Sequence, residues 1–450
     1  MRAFASLLAL TVSGVTPTTY QTIVDLSADL EPSTEYDDND AFDLSLQRAA
    51  KEMPLVRTVL VLERGRIISS YSREDVDATE TSDVYSVTKS WTGLIIGKIV
   101  EDGLLSINET LGNIWPDPYE EIWPNVESAE EIRAVTIESM LTMTSGLIDP
   151  TDLFTMAMQD RENLGGATLI DSLSFPAIGE VGEFSYLSAS NILSYVILKR
   201  SGLTPREYAV LHIFPYLGIS DNEIVWDHND DKVEHAYTGL HLNIVHMAKF
   251  GQLYLQGGYS NPETSIISTE WVQLSTTAQI AEAEGLKYGY FTWYLDNYLL
   301  GSPDSGHFYC ALGLGGQQIC IHDELDRVFV QQLDFELSSD DVSMPFKLAF
   351  MAFNISDLSN EIIEESTEAP QKSSVIEEVI NSTSKEASEN IKGNAQNNSV
   401  IEEVKNSTLN EAPTNIKGNE TSSAQSLFAR GIISLILAFI FACADFLCLF

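Results

Sequence analysis

Residues 84–103 read VYSVTKSWTGLIIGKIVEDG, and this stretch decides the fold. Trp91, Leu94, Ile95, Ile96, Ile99 and Val100 recur at near-helical spacing, and Gly103 is a helix stop. So apolar a helix is a buried one, with its first turn at the edge of a cleft. Ser86 and Lys89 stand three apart on one helical face, so the hydroxyl and the amine can meet. The serine's own N–H is one of the helix's unpaired N-terminal donors and can help bind an oxyanion. A lysine in an apolar wall has its pKa pushed down from about 10.4 and can accept the serine proton. The tetrapeptide alone is a weak signal: Ser382 to Lys385 repeats it in a polar tail, where no cleft can form. An ordinary helix N-terminal serine followed by a solvated lysine fits the same letters.

Before this helix, Arg57–Glu63 (RTVLVLE) and Arg66–Ser72 (RIISSYS) are β-branched runs around Arg64-Gly65, which predicts a hairpin. Asp37, Asp38, Asn39 and Asp40 lack the glycine and the terminal glutamate of a calcium loop and are read as capping a helix over Ala41–Glu52. Residues 104–310 read as mostly helix and loop, with helices at Thr136–Met143, Asn191–Lys199, Ile244–Leu255 and Glu270–Thr276. Then the pattern turns to strand at His307–Leu312, Gln317–His322 and Val328–Leu333, and Ser338-Ser339-Asp340 precedes a last helix near 341–353. Strands at the front and the back, with helices between, predict an α+β fold. One antiparallel sheet is built from both chain ends and flanked by helices, beside an all-helical lobe, with a cleft between the two.

The 450 residues carry 66 acidic against 25 basic side chains, a net charge of −41. That excludes nucleic acid as a partner and repels anionic headgroups. Residues 1–14 read as a signal peptide, with Arg2 before the apolar run Ala3–Val12, and 15–40 as an acidic leader. The catalytic domain spans 41–355. Over 356–424 Ser, Asn, Glu and Thr dominate, and SVIEEVINSTSKEASENIKGN (374–394) recurs as SVIEEVKNSTLNEAPTNIKGN (399–419). Such a composition buries no core and is read as a disordered stalk. Asn381, Asn397, Asn406 and Asn419 there, with Asn108 and Asn354 in the globular part, are glycosylation candidates. Residues 425–450 read as a C-terminal anchor signal: small residues Thr421–Ala424, a spacer to Arg430, then an apolar run interrupted by Asp445. A single-pass helix is the alternative. The expected location is the cell surface, through a glycolipid, so the membrane is a partner only through this anchor. Cys310 and Cys320 lie symmetrically about Gly315, and both a cross-strand disulfide and two free buried cysteines fit them.

Two further segments supply parts for acyl transfer. Tyr186, in Phe184-Ser185-Tyr186-Leu187-Ser188 before an apolar helix, is a phenol that a nearby lysine holds partly ionised as a proton shuttle; a core tyrosine fits equally. Gly313-Leu314-Gly315-Gly316 lets backbone N–H groups approach a bound carbonyl, and also fits a plain hairpin turn. No metal motif occurs among the seven histidines, and no cofactor is called for.

YSVTKSWTGLIIG, TIESMLTMTSGL, EFSYLSASNIL, GLHLNIVHMAKFGQLYLQGG, YGYFTWYL and ALGLGGQQICI, in that order, resemble the β-lactamase-related serine hydrolases. These include class C β-lactamases, penicillin-binding carboxypeptidases, and esterases or amidases such as the aminohexanoate-oligomer hydrolases, to which SVTKS and GxGGQ are most similar. The resemblance covers residues 40–355 and implies a serine hydrolase with Ser86 as nucleophile, Lys89 as base and Tyr186 as the tyrosine of a Y-x-N motif. Two departures stand out. Ser188 replaces the asparagine of that motif, and Cys310-Ala311-Leu312 lies about where a KTG or HxG triad would fall. That triad serves the carboxylate of β-lactams, so its loss turns the expectation toward esters or amides of small molecules or peptides. A catalytically silent surface binding protein is the alternative from another functional class.

Overall fold

The computed structural model describes residues 22–35, 40–116, 129–147, 181–186, 191–281, 287–295, 308–334 and 344–353. All belong to one of the two units into which the chain divides; the other, Ser359–Arg430, lies outside the described residues. So do the predicted signal peptide, stalk and anchor, Ser188, Ser382 and every candidate glycosylation site but Asn108, which is exposed.

The chain opens with helix α1 (Ala41–Lys51), whose N-cap Asp40 accepts from the Phe42 and Asp43 N–H groups. Strands β1 (Val56–Glu63) and β2 (Arg66–Ser72) form the expected hairpin, with Arg64 at φ 50° and Gly65 at φ 72°. Two successive left-handed residues match the right-handed twist of the strands they join. After β3 (Ser82–Asp83) comes α2 (Val87–Glu101). The helical block holds α3 (Leu111–Ile114), α4 (Ala129–Ala134), α5 (Ile137–Leu141), α6 (Ile192–Ser201) and α7 (Pro205–His212). Strands β4 (Val225–Trp226) and β5 (Leu240–Leu242) join β3 in a small sheet. Next come α8 (Ile244–Leu255), the ribbon β6 (Tyr259–Asn261) and β7 (Thr264–Ser265), and α9 (Thr269–Thr276). Strands β8 (Ile280–Ala281), β9 (Lys287–Tyr288), β10 (Trp293–Leu295), β11 (Phe308–Gly313), β12 (Gln317–His322) and β13 (Arg327–Leu333) lead to α10 (Met344–Ala352).

The main sheet is antiparallel, ordered β2-β1-β13-β12-β11-β10-β9-β8. Front and back of the chain pair as expected, with Leu60 opposite Val330. The sequence reading missed β8, β9 and β10, which extend the sheet from within the block taken as helix and loop. They are two or three residues long, too short for a two-residue period to register. Among the described residues, no helix is long and apolar enough to cross a membrane.

Close approach positions α2 and α8. Gly251 of α8 lies so near the sheet that a Cβ there would meet a Val328 methyl at 2.4 Å. Gly97 of α2 abuts the Trp271 ring at 2.3 Å on the same measure. Trp91 packs between Phe214 and Phe250 at ring distances of 5.5 and 4.7 Å. Of the 15 residues of α2, 12 are buried, so the helix is fixed on all sides and its first turn cannot drift. Arg327 ties the far end of the fold together, donating to Glu63 and to the Ala352 carbonyl.

Candidate active site

Ser86 occupies the N-cap of α2, yet its side chain makes no capping hydrogen bond. Tyr85 before it adopts φ 48°, an uncommon left-handed conformation for a bulky residue. The Asp83 carboxylate holds that turn, accepting from the Tyr85 N–H at 2.8 Å and the Gly239 N–H at 3.2 Å. Of the four N–H groups that open the helix, those of Val87, Thr88 and Lys89 are taken by the carbonyls of Val84, Tyr85 and Ser86.

Lys89 is buried at 6% exposure, and its Nζ donates to Ser86 Oγ at 2.8 Å and to the Tyr237 carbonyl at 3.3 Å. The Tyr186 and Tyr237 rings lie 4.9 and 5.6 Å from that nitrogen. This is not a solvated lysine one turn after a capping serine. The Tyr186 ring packs against those of Trp293 and Tyr288, at centroid distances of 5.2 and 6.2 Å. The tyrosine is half-buried as a residue, but its hydroxyl end is enclosed. Burial pushes its phenol above the ordinary value, outweighing the nearby polar groups of Ser86 and Trp293, which pull it down. The expectation of a partly ionised phenol is therefore corrected: enclosure disfavours the anion and moves Tyr186 away from ionisation.

Strand β11 ends at Gly313, against the nucleophile turn. A Cβ there would stand 2.3 Å from the Val84 carbonyl oxygen and 3.3 Å from a Val87 methyl, so only glycine permits this approach. Leu314–Gly316 form a short 3₁₀ turn, with Gly315 at φ 71° and Gly316 at φ 86°. Gln331 Nε2 donates to the Gly316 carbonyl at 2.9 Å and fixes the turn from behind. The cysteine alternatives resolve in favour of the disulfide. Cys310 and Cys320 are directly opposed on β11 and β12, their Cα atoms 4.2 Å apart, and bonded.

Sequence reasoning missed four contributors. Tyr237 provides the carbonyl that Lys89 reaches. Asn191 Oδ1 accepts from the Ala236 N–H at 3.1 Å, and Thr92 donates to the Ala236 carbonyl at 2.8 Å, so the backbone before Tyr237 is held from two helices. Trp293 packs against the Tyr186 ring at a centroid distance of 5.2 Å. Asn191 and Trp293 stand inside EFSYLSASNIL and YGYFTWYL, but nothing local distinguishes them from packing residues. Among the described residues, no group of three or more His, Cys, Asp or Glu is placed to hold a metal ion.

A beta-lactamase family model matches residues 55–330, more than half of the chain. The chain belongs to the beta-lactamase family. It is thus a β-lactamase-related hydrolase, and solved structures bear out the fold. A putative 6-aminohexanoate-dimer hydrolase from Bacillus anthracis superposes with a TM-score of 0.55 at 16% identity, over 78% of this chain and 91% of that one. A class C beta-lactamase mutant matches at 0.52 and 13% identity, over 71% and 99%. A putative beta-lactamase from Bacteroides dorei DSM 17855 matches at 0.52 and 15%, over 72% and 99%.

Two buried histidines of this beta-lactamase family member predict a loss of stability in acid. His235, two residues before Tyr237, has both ring nitrogens without a hydrogen-bond partner among the described residues, and burial pushes its pKa down to about 4. Burial does the same to His246 on α8, to about 4, against the opposing pull of Glu223. Both stay neutral in the fold and titrate near 6.5 when unfolded. Their contribution is complete above pH 6.5 and is lost as pH falls through 4, up to roughly 3 kcal/mol each. Denaturant unfolding should show stability dropping across this window, with up to about two protons taken up on unfolding near pH 5. A flat profile from pH 6.5 to 4.5 would show that the folded protein already holds those protons.

Proposed function

We propose that the protein is a serine hydrolase that works through an acyl-enzyme on Ser86, cleaving an ester or amide bond of a small molecule or peptide. One observation carries this reading. At a helix N-cap, Ser86 forgoes the usual capping bond, and its hydroxyl instead accepts from a buried lysine at 2.8 Å. The Tyr186 ring, 4.9 Å from the same Lys89 nitrogen, supports it.

In this reading neutral Lys89 takes the Ser86 proton as Oγ attacks the substrate carbonyl. The Ser86 N–H and an N–H of Gly313-Leu314 receive the oxyanion. Tyr186, holding its proton, gives it to the leaving group as the tetrahedral adduct collapses, and takes a proton back directly from the protonated Lys89 beside it. Water then attacks the ester, with the same groups in reversed roles. Labelling with a fluorophosphonate followed by peptide mass spectrometry tests the reading. An adduct on Ser86 is expected; an unlabelled, folded protein would favour the silent binding protein instead.

Cys310, Ala311 and Leu312 are all buried and offer a substrate carboxylate no hydroxyl or ammonium group, and the net charge of −41 repels anions. Short acyl esters should therefore be hydrolysed faster than nitrocefin; the reverse order in parallel assays would turn the reading to β-lactams. The proposed setting is the cell surface, with Ser422 or Ser423 near the mature end and a glycolipid as anchor. Phosphatidylinositol-specific phospholipase C should release the protein from intact cells. Retention together with an epitope placed after Arg430 would mean a transmembrane helix.

A further inference from the structure

Hydrogen bonds lace residues 237–240 to the first turn of α2 and to the residues just before it. Lys89 Nζ donates to the Tyr237 carbonyl at 3.3 Å, and the Gly239 N–H to Asp83 Oδ1 at 3.2 Å. The Val84 N–H donates to the Leu240 carbonyl at 2.9 Å, and the Leu240 N–H to Thr88 Oγ1 at 3.3 Å. Asp83 has a second task in this lacing. The same oxygen accepts from the Tyr85 N–H at 2.8 Å, two residues on, a turn that aspartate and asparagine side chains are the right length to make. Tyr85 stands at φ 48°, which is costly for a bulky residue and persists only where the surroundings over-determine it. Ser86 follows directly. Asp83 itself has a fixed base: it pairs with His241 between β3 and β5. Gln332 Nε2 on β13 donates to Ser82 Oγ at 3.1 Å and to the Leu242 carbonyl at 2.8 Å, which ties both short strands to the main sheet.

We propose that Asp83 is the positioning residue for the Ser86–Lys89 pair, one carboxylate oxygen setting the serine turn on one side and the anchor of the lysine on the other. Through Tyr85 it fixes the backbone from which Ser86 Oγ projects. Through Gly239 it fixes the segment whose Tyr237 carbonyl holds Lys89 Nζ. It acts through these two stretches of backbone and not on the substrate. What it supplies is the location of an acceptor rather than a charge. Catalysis is sensitive to such placement, since a shift of about 1 Å can cost on the order of 10²-fold.

This inference rests on the acyl-enzyme reading, so fluorophosphonate labelling of the unaltered protein at Ser86 is measured first. Three variants are then compared on one short acyl ester, with thermal midpoints measured alongside. Asp83→Asn keeps an acceptor oxygen in the same place without the charge, and kcat should stay within about 5-fold. Asp83→Glu keeps the charge but moves it by one methylene, and Asp83→Ala removes the acceptor. Both should lower kcat on the order of 10²-fold, with KM changed by less than about 3-fold and labelling slowed in step. In a Lys89→Ala background Asp83→Ala should cost much less, because Ser86 then has no base to be aligned with. An active Glu form beside an Asn form as slow as Ala would show that charge is what counts and overturn the assignment. So would three variants all within about 3-fold of the unaltered protein, a loss confined to KM, or the full loss recurring without Lys89. If Asp83→Ala does not fold, Asn against Glu decides; if no variant folds, Asp83 serves the fold alone and the assignment falls. Failure of the unaltered protein to label would instead overturn the acyl-enzyme reading, and this inference with it.

Discussion

Ser86→Ala should lower turnover by about 10⁴-fold or more and abolish fluorophosphonate labelling, the largest loss any single change in this chain should produce. Removing the nucleophile of a serine hydrolase leaves only the oxyanion donors and binding, and such losses reach about 10⁶. The substitution deletes one oxygen from a half-buried site and removes no cap, because Ser86 caps nothing. Stability should therefore hold, with a thermal midpoint close to that of the unaltered protein. Ser382→Ala is the control, since it changes the other S-x-x-K match and should leave both readouts untouched. Labelling that survives in Ser86→Ala would move the nucleophile elsewhere.

The second large effect is a non-additivity. Lys89→Ala and Tyr186→Phe should each cost at least about 10²-fold in kcat, the lower range for general acid–base work. The double variant should cost far less than the product of the two losses. The reason is geometric: Lys89 donates to the Ser86 hydroxyl and lies against the Tyr186 ring, so in this reading the proton passes from serine by way of Lys89 and Tyr186 to the leaving group. Once one member is gone, the other has no complete path to serve. Single-turnover measurements on one ester can separate this from altered binding. Multiplicative losses would show two independent contributions and no relay. Lys89→Ala also leaves the Tyr237 carbonyl and the buried end of Tyr186 without the ammonium, so its stability should be measured alongside.

Most of the architecture was readable in the chain. The helix from Val87 follows from apolar spacing, the hairpin from Arg64-Gly65, and the edges of β11, β12 and β13 from β-branched runs broken by glycine and aspartate. These are local effects, in which the period of a pattern matches the period of a backbone. The bounds Ile244–Leu255 and Gln317–His322 agree with the structure for that reason. The three short strands β8 to β10 were not readable, because what makes them strands is the presence of β11 at their side.

The candidate site divides the same way. Ser86 and Lys89 could be paired from sequence because they share a helical face, and distance along the chain fixes their distance in space. The local signals for Tyr186 and Gly313 also fitted a core tyrosine and a plain hairpin turn, and the resemblance in ordered segments chose between the readings. That Ser86 caps nothing, that Lys89 reaches a carbonyl 148 residues away and that Trp293 packs against Tyr186 were decided by the tertiary fold. So was the protonation of Tyr186: desolvation depends on what encloses the hydroxyl, and the groups around it come from segments far apart in sequence. The Cys310–Cys320 bond is an intermediate case. The spacing about Gly315 allowed it, but only the register of β11 against β12 placed the two sulfurs face to face.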